Sequence, residues 1–147
     1  MSIQVYLYVD GSCRGNPGPG GYAAVMQYGL HEREIVGGED STTNNRMELS
    51  AVISGLKALK RRCQVVVVTD SQYVATLLKA CAKRSQGGGR AKANLDLVQE
   101  LYQLASQHEV QVEKVNGHSG HAMNERADRL AYAEATNRLS QMEVAGV

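Results

Sequence analysis

Cysteine is scarce here, and the way it is scarce has consequences. Cys13, Cys63 and Cys81 are odd in number and form no C-x-x-C, which argues against a disulfide framework or a zinc site and leaves free thiols suited to a reducing compartment. No apolar run is long enough to span a bilayer, and the opening Met1-Ser2-Ile3-Gln4 lacks the basic and apolar regions of a secretory signal. A cytoplasmic protein with no membrane partner is therefore expected. A formal net charge of +1 provides no overall excess with which to hold an acidic partner. Acids are missing locally, however: none lies between Asp70 and Asp96, while Lys79, Lys83, Arg84, Arg90 and Lys92 fall inside that window. Such a basic stretch is either a solvated loop and helix end or a surface for an anion. There is no internal repeat, and Gly87-Gly88-Gly89 reads as a flexible tip. Tryptophan is absent altogether.

What is present starts with the stretch 3–21, where a run of β-formers stops at Asp10 and turn residues follow. Val5, Leu7 and Val9 alternate with Tyr6 and Tyr8, so both faces are apolar or amphipathic, the pattern of a central strand covered on both sides. Asp10 is expected where that strand leaves the core. Asp10-Gly11 is equally the signature of a hairpin turn. A second run, Val65-Val66-Val67-Val68-Thr69, ends the same way at Asp70, and its consecutive valines read as a buried parallel strand. Between the two lies a segment of helical period. At about 100° per residue, Glu48, Val52, Leu56 and Leu59 share one stripe, which aims Glu48 at the sheet. The competing reading of Glu48 is a capping box with Asn45.

At 147 residues and 43% hydrophobic composition, the chain fits one domain with a core of its own. Residues 22–28 and 33–36 read as two further strands in an antiparallel meander. Residues 40–45 are a polar connection to the first helix, and the strand 65–70 then makes the architecture βαβ. Ser71 can cap a helix carrying Val74, Leu77, Leu78 and Cys81, and another helix starts near Asn94 with Leu97, Leu101 and Leu104 as its face. A strand at 110–115 precedes a loop, Gly117-His118-Ser119-Gly120-His121, and a last helix from about Met123. On that helix Asn124, Ala127, Asp128, Ala131 and Ala135 cluster on one side, making Asp128 a fourth inward acid. Residues 1–138 are expected to form the domain and 139–147 a frayed, disordered tail.

Clustered carboxylates raise one another's pKa and cost stability unless a cation holds them. All-oxygen ligation selects magnesium or manganese over zinc, and suits a pair of ions roughly 4 Å apart that activate water for phosphodiester hydrolysis.

The blocks YVDGSCRGNPGPGGYA, TTNNRMEL, VVTDSQYV and NGHSGHAMNERADRLA, in this order, resemble those of the ribonuclease H family, specifically the bacterial type 1 enzymes. The resemblance spans nearly the whole chain. It implies an α/β ribonuclease H-like fold, a mixed five-stranded sheet flanked by helices, and endonucleolytic cutting of the RNA strand of an RNA–DNA hybrid. By the same resemblance Asp10, Glu48, Asp70 and Asp128 are catalytic metal ligands for Mg2+, with Mn2+ as a substitute and two ions during catalysis. His118 corresponds to a loop histidine that assists proton transfer or product departure. Asn16, Thr43, Asn44, Asn45, Gln72 and Asn94 match substrate-binding positions, and a monomer without an obligatory protein partner is implied. Short polar side chains on a turn and a helix start are also what shallow-groove recognition of RNA needs, though turn and cap chemistry accounts for the asparagines equally. His121 is read as structural.

The chain departs from the family in two places. Long-handled relatives carry a basic protrusion with several tryptophans after the helix that follows Asp70. Here the stretch LKACAKRSQGGGRAKANL keeps the cations but is shorter, Gly-rich and without tryptophan. Its Lys83, Arg84, Arg90 and Lys92 are expected to bind substrate through charge. Ser41 stands where many relatives have a basic residue. Two rival functions remain: a non-catalytic hybrid-binding module, which would not need inward acids, and a magnesium-dependent phosphatase, which would bring a D-x-D or phosphate-loop pattern that is absent.

Overall fold

A computed structural model describes residues 3–82, 93–117 and 121–146. Element order is β1 (Ile3–Cys13), β2 (Gly18–Tyr28), β3 (His31–Thr42), α1 (Asn44–Lys57), β4 (Cys63–Thr69), α2 (Gln72–Ala82), α3 (Leu95–Ala105), β5 (Glu109–Lys114) and α4 (Ala122–Ala145). The strands form one five-stranded sheet in the order β3-β2-β1-β4-β5. β1 pairs antiparallel with β2, and β2 with β3, whereas β1–β4 and β4–β5 are parallel. The α/β fold and the mixed sheet agree with the expectation from sequence.

Alternation along β1 divides the core. Val5, Leu7 and Val9 face a cluster built with Leu49, Val52 and Leu56 of α1, Val74 and Leu78 of α2, and Val98 and Leu101 of α3. On the opposite face Tyr8, Val25 and Val68 meet Ala127 of α4. β4 is covered on both sides, which explains its unbroken valines.

The first strand runs further than its sequence suggests. Pairing of β1 with β4 ends at Tyr8↔Val68, but pairing with β2 continues to Cys13↔Gly20. Asp10-Gly11 is therefore strand, not a hairpin turn and not the strand's end. β3 likewise extends through Gly37 and Gly38 to Thr42 by pairing with β2, and the Tyr22 ring lies where a Cβ at Gly37 would be. These glycines are sites of close packing rather than breaks.

α4 differs most from expectation. It continues to Ala145, so the segment from Leu139 is helical, not a frayed tail. Residues 139–145 contain neither glycine nor proline, and the helix closes only at Gly146, whose N–H donates to Met142 O at 3.0 Å. α4 docks through Ala127, Ala131 and Ala135, all fully buried. Ion pairs fasten it along β3: Arg126 with Glu32 and Glu34, and Arg138 with Asp40.

Gly21 of β2 sets the distance of this docking. A Cβ there would lie 2.6 Å from Ala131 O and 2.7 Å from Ala135 N, both backbone atoms that cannot step aside. Gly21→Ala is therefore expected to lower unfolding free energy by ~1–3 kcal/mol, the usual cost of overpacking, read as a lower urea midpoint at unchanged m-value. An unaltered midpoint would show that α4 shifts freely on the sheet.

Candidate active site

The site lies where β1 and β4 part. Their last paired residues are Tyr8 and Val68, and Asp10 and Asp70 each stand two residues beyond, Asp10 within the part of β1 that pairs with β2 alone and Asp70 just past the end of β4. Open α/β sheets bind their ligands at such forks, because the chain turns away on both sides and leaves a crevice. Thr69 steadies the exit of β4: its carbonyl accepts from Val115 N at 2.8 Å, and its Oγ1 accepts from Ser71 N at 3.0 Å. Ser71 caps α2 by accepting from Val74 N at 3.1 Å, so Asp70 sits at the positive end of that helix.

Glu48 comes from the other layer. Thr43, not Asn45, is the N-cap of α1, its hydroxyl accepting from Arg46 N at 3.3 Å. The capping-box alternative is thereby removed, since Glu48 lies beyond the first turn, which holds no acid. Gly11 brings Glu48 into range. A Cβ at Gly11 would be 2.5 Å from Glu48 N and 2.6 Å from the Met47 carbonyl carbon, so only glycine lets the α1 backbone lie this close to β1. Sequence reasoning missed this residue, because Asp-Gly reads as a turn until the strand is seen to continue through it.

Carboxylate oxygens of Asp10, Glu48 and Asp70 lie within 4.8 Å of one another. Asp10 is buried at 6% exposure and Asp70 half-buried. Burial, helped by a hydrogen bond to Asp128 and the charges of Asp70 and Asp128, pushes the Asp10 carboxyl up to about 8. Burial and the charges of Asp10 and Asp70 raise Glu48 well above the usual carboxylate range. The Gly11 N–H opposes both shifts and is outweighed. Glu48 Oε1 is buried without a hydrogen-bond partner among the described residues. An orphaned hard oxygen among mutually repelling carboxylates fits a divalent cation, which would satisfy the oxygen and cancel the repulsion.

Asp128 occupies a different environment. It follows the buried Ala127 and reaches Asp10, but it is exposed, at the rim of the crevice rather than within it. The expectation of a fourth inward acid is corrected here: the α4 stripe that faces the sheet is the alanine line, and Asp128 lies one residue to its side.

The other predicted residues that are described lie at a turn and at helix heads. Asn16 Oδ1 accepts from Asn44 N at 3.0 Å, uniting the β1–β2 turn with the head of α1, where Asn44 and Asn45 are exposed. Gln72 is exposed at the start of α2 and donates to Thr76 Oγ1 at 3.1 Å. Asn94 precedes α3 and donates to the Tyr73 hydroxyl at 3.0 Å. His121 packs its ring on Tyr8, centroids 5.4 Å apart, and stands outside the acid cluster. His118, Lys83, Arg84, Arg90 and Lys92 lie outside the described residues. The neighbour of His118 is informative, since a Cβ at Gly117 would be 3.3 Å from Asp70 Oδ2.

Comparison with known proteins agrees with this geometry. The family model for RNase H matches residues 2–136. A ribonuclease H of Neisseria meningitidis serogroup C is 55% identical over 137 residues, covering 89% of this chain and 94% of the relative. A ribonuclease H of Idiomarina loihiensis is 50% identical over 141 residues, covering 92% and 90%. Among solved structures, LC9-RNase H1, a type 1 RNase H with the type 2 active-site motif, superposes with a TM-score of 0.82 at 34% identity, over 94% of this chain and 74% of that one. A match that runs through β1, α1, β4 and α4, the four elements that deliver the carboxylates, establishes that the chain belongs to the RNase H family.

Proposed function

We infer that the protein is an endoribonuclease that hydrolyses the RNA strand of an RNA–DNA hybrid, with divalent cations held at the fork between β1 and β4. The observation that carries this reading is the convergence of Asp10, Glu48 and Asp70 oxygens within 4.8 Å, in a chain of the RNase H family. Bound Mg2+, or Mn2+ in its place, would activate water and stabilise the leaving oxygen, two ions roughly 4 Å apart serving both ends of the displacement.

The residues divide the remaining work. Asp10, Glu48 and Asp70 supply the hard oxygens, and Asp128, being exposed, completes the ligand set from the solvent side. His118 follows Gly117, whose backbone passes beside Asp70. Its role is to carry a proton to or from the reacting phosphodiester. Asn16, Asn44 and Asn45 meet the hybrid's minor groove, where the 2′-hydroxyl separates RNA from DNA, and Thr43, Gln72 and Asn94 add further contacts to the substrate. Lys83, Arg84, Arg90 and Lys92 hold phosphates by charge alone, so KM for the hybrid should climb with salt. Free thiols at Cys13, Cys63 and Cys81 support a cytoplasmic location, and a monomer is proposed, to be read by cell fractionation and sedimentation.

The direct test offers the purified protein labelled RNA in hybrid, duplex and single-stranded form. Cutting is expected only in the hybrid and only with Mg2+ or Mn2+; equal cutting of single-stranded RNA, or activity in excess chelator, contradicts the reading.

Variants separate the roles. Asp70→Asn preserves shape and removes one ligand charge, so near-total loss of turnover is expected in a folded protein. His118→Ala should cost about 10²-fold, because water activation survives loss of one proton carrier. Equal inactivity of the two variants in single-turnover assays would refute the division.

A pH dependence of stability follows from Asp10. Between its ordinary 3.8 and about 8, the folded metal-free protein retains a proton that the unfolded chain has released. Folding then binds protons, so stability falls as pH rises through that window. In chelator the urea midpoint should be lower at about pH 8 than at about pH 5.5, and Asp10→Asn should flatten the slope. A midpoint independent of pH would mean that the acids do not burden the apo fold.

A further inference from the structure

A chain of hydrogen bonds crosses the three helices on one side of the sheet and ends on a residue whose conformation needs explaining. Arg46, in the first turn of α1, grips Asp96 with both terminal nitrogens, Nη1 to Oδ1 at 3.1 Å and Nη2 to Oδ2 at 3.0 Å. The same Nη1 donates to Asn94 Oδ1 at 3.5 Å. From the other end of that carboxamide, Asn94 Nδ2 donates to the Tyr73 hydroxyl of α2 at 3.0 Å. The amide of Asn94 is thus held at both its oxygen and its nitrogen by two different helices.

Asn94 is also the N-cap of α3, yet its side chain makes no capping bond. Asparagine is favoured there because its oxygen can accept from the helix's free N–H groups, so a cap that forgoes this bond has its amide committed elsewhere. The backbone is left-handed, φ 59, the only positive φ outside glycine among the described residues. Neither feature is needed to start a helix. The Arg46–Asp96 pair is a weak source of stability as well, with the Asp96 side chain 65% exposed. What the arrangement does achieve is orientation. Held as it is, the carboxamide keeps one N–H and one oxygen lone pair unengaged among the described residues, pointing in a fixed direction. Arg46 also belongs to the same helical turn as Asn44 and Asn45, so the Asn94 amide is fixed relative to theirs.

We propose that Arg46 and Tyr73 are positioning residues that hold the Asn94 carboxamide in a fixed place relative to Asn44 and Asn45, so that a bound hybrid meets all three amides without reordering them. The proposal rests on the hybrid-hydrolysis reading above and adds to it the device that sets binding strength. An amide ordered before binding spares the complex the cost of ordering it, and that saving appears in KM rather than in the chemical step. Asp96 orients Arg46 and neutralises it, which makes Arg46 a strut and not a free phosphate anchor.

The test measures KM and kcat on a labelled RNA–DNA hybrid for Tyr73→Phe, Asn94→Gly and the double variant. Phenylalanine keeps the ring that packs on the core and removes only the hydroxyl. Glycine at 94 keeps the left-handed backbone, which alanine would strain. Tyr73→Phe is expected to raise KM about threefold to tenfold, the worth of one hydrogen bond, with kcat changed by less than about twofold. Asn94→Gly should raise KM at least as far. Adding Tyr73→Phe to Asn94→Gly should then change nothing more, since the hydroxyl acts only through the amide. Arg46→Lys, which keeps the charge and loses the fork, should follow the same rule. A full Tyr73→Phe effect in the glycine background, or an unaltered KM in Asn94→Gly, overturns the positioning role while leaving hybrid hydrolysis standing. Failure of the unmutated protein to cut the hybrid at all removes both.

Discussion

Repulsion among Asp10, Glu48 and Asp70 is the constraint on which the rest of this structure depends. Like charges in a poorly solvated crevice separate unless the backbone forbids it, and here three elements forbid it together. β1 is locked on its β2 side beyond Asp10, β4 is tied to β5 and to the head of α2, and α1 is pressed against Gly11. Burial first, and the neighbouring carboxylates after it, raise the pKa of Asp10 and of Glu48 in the metal-free protein. A cation relieves the repulsion, so the energy stored by packing acids together becomes affinity for the ion.

How much of this could be read from the chain depended on whether the signal was local. Glu48 was legible because its stripe with Val52 and Leu56 is a property of one helix, and Asp70 because four valines before it can only be a buried strand. Asp10 was identified for a partly wrong reason. Its strand does not end there; its neighbour β4 does, and strand neighbours are not written in local sequence. Gly11 misled in the same way, a close contact with a distant element that looks like punctuation. The exposure of Asp128 was hidden because helical spacing gives an angular order but not the depth to which a helix sinks. The length of α4 was missed for want of a stop signal before Gly146.

Binding and chemistry occupy different structural layers. The acids proposed for the chemistry sit within β1, just past β4 and on one flank of α1, each fixed by the core. The polar groups proposed for the hybrid sit at helix heads: Asn44 and Asn45 on α1, Gln72 on α2, Asn94 before α3. Heads of helices packed on one sheet face are rigid relative to one another, yet their outermost residues carry little packing energy. Substitution there can retune affinity without loosening the core.

The outer strand β3 has a consequence beyond the site. Among the described residues it ends the sheet with no strand paired on its outer side, the kind of border on which a second copy could lay down a strand of its own. Its sequence, HEREIVGGEDST, sets Glu32, Arg33, Glu34, Glu39 and Asp40 along that border, and α4 draws Glu32, Glu34 and Asp40 into ion pairs with Arg126 and Arg138. A strand arriving edge-on would have to strip water from these charges and break contacts that secure α4. The clamps that dock the last helix therefore also serve as a guard against fibrous self-association.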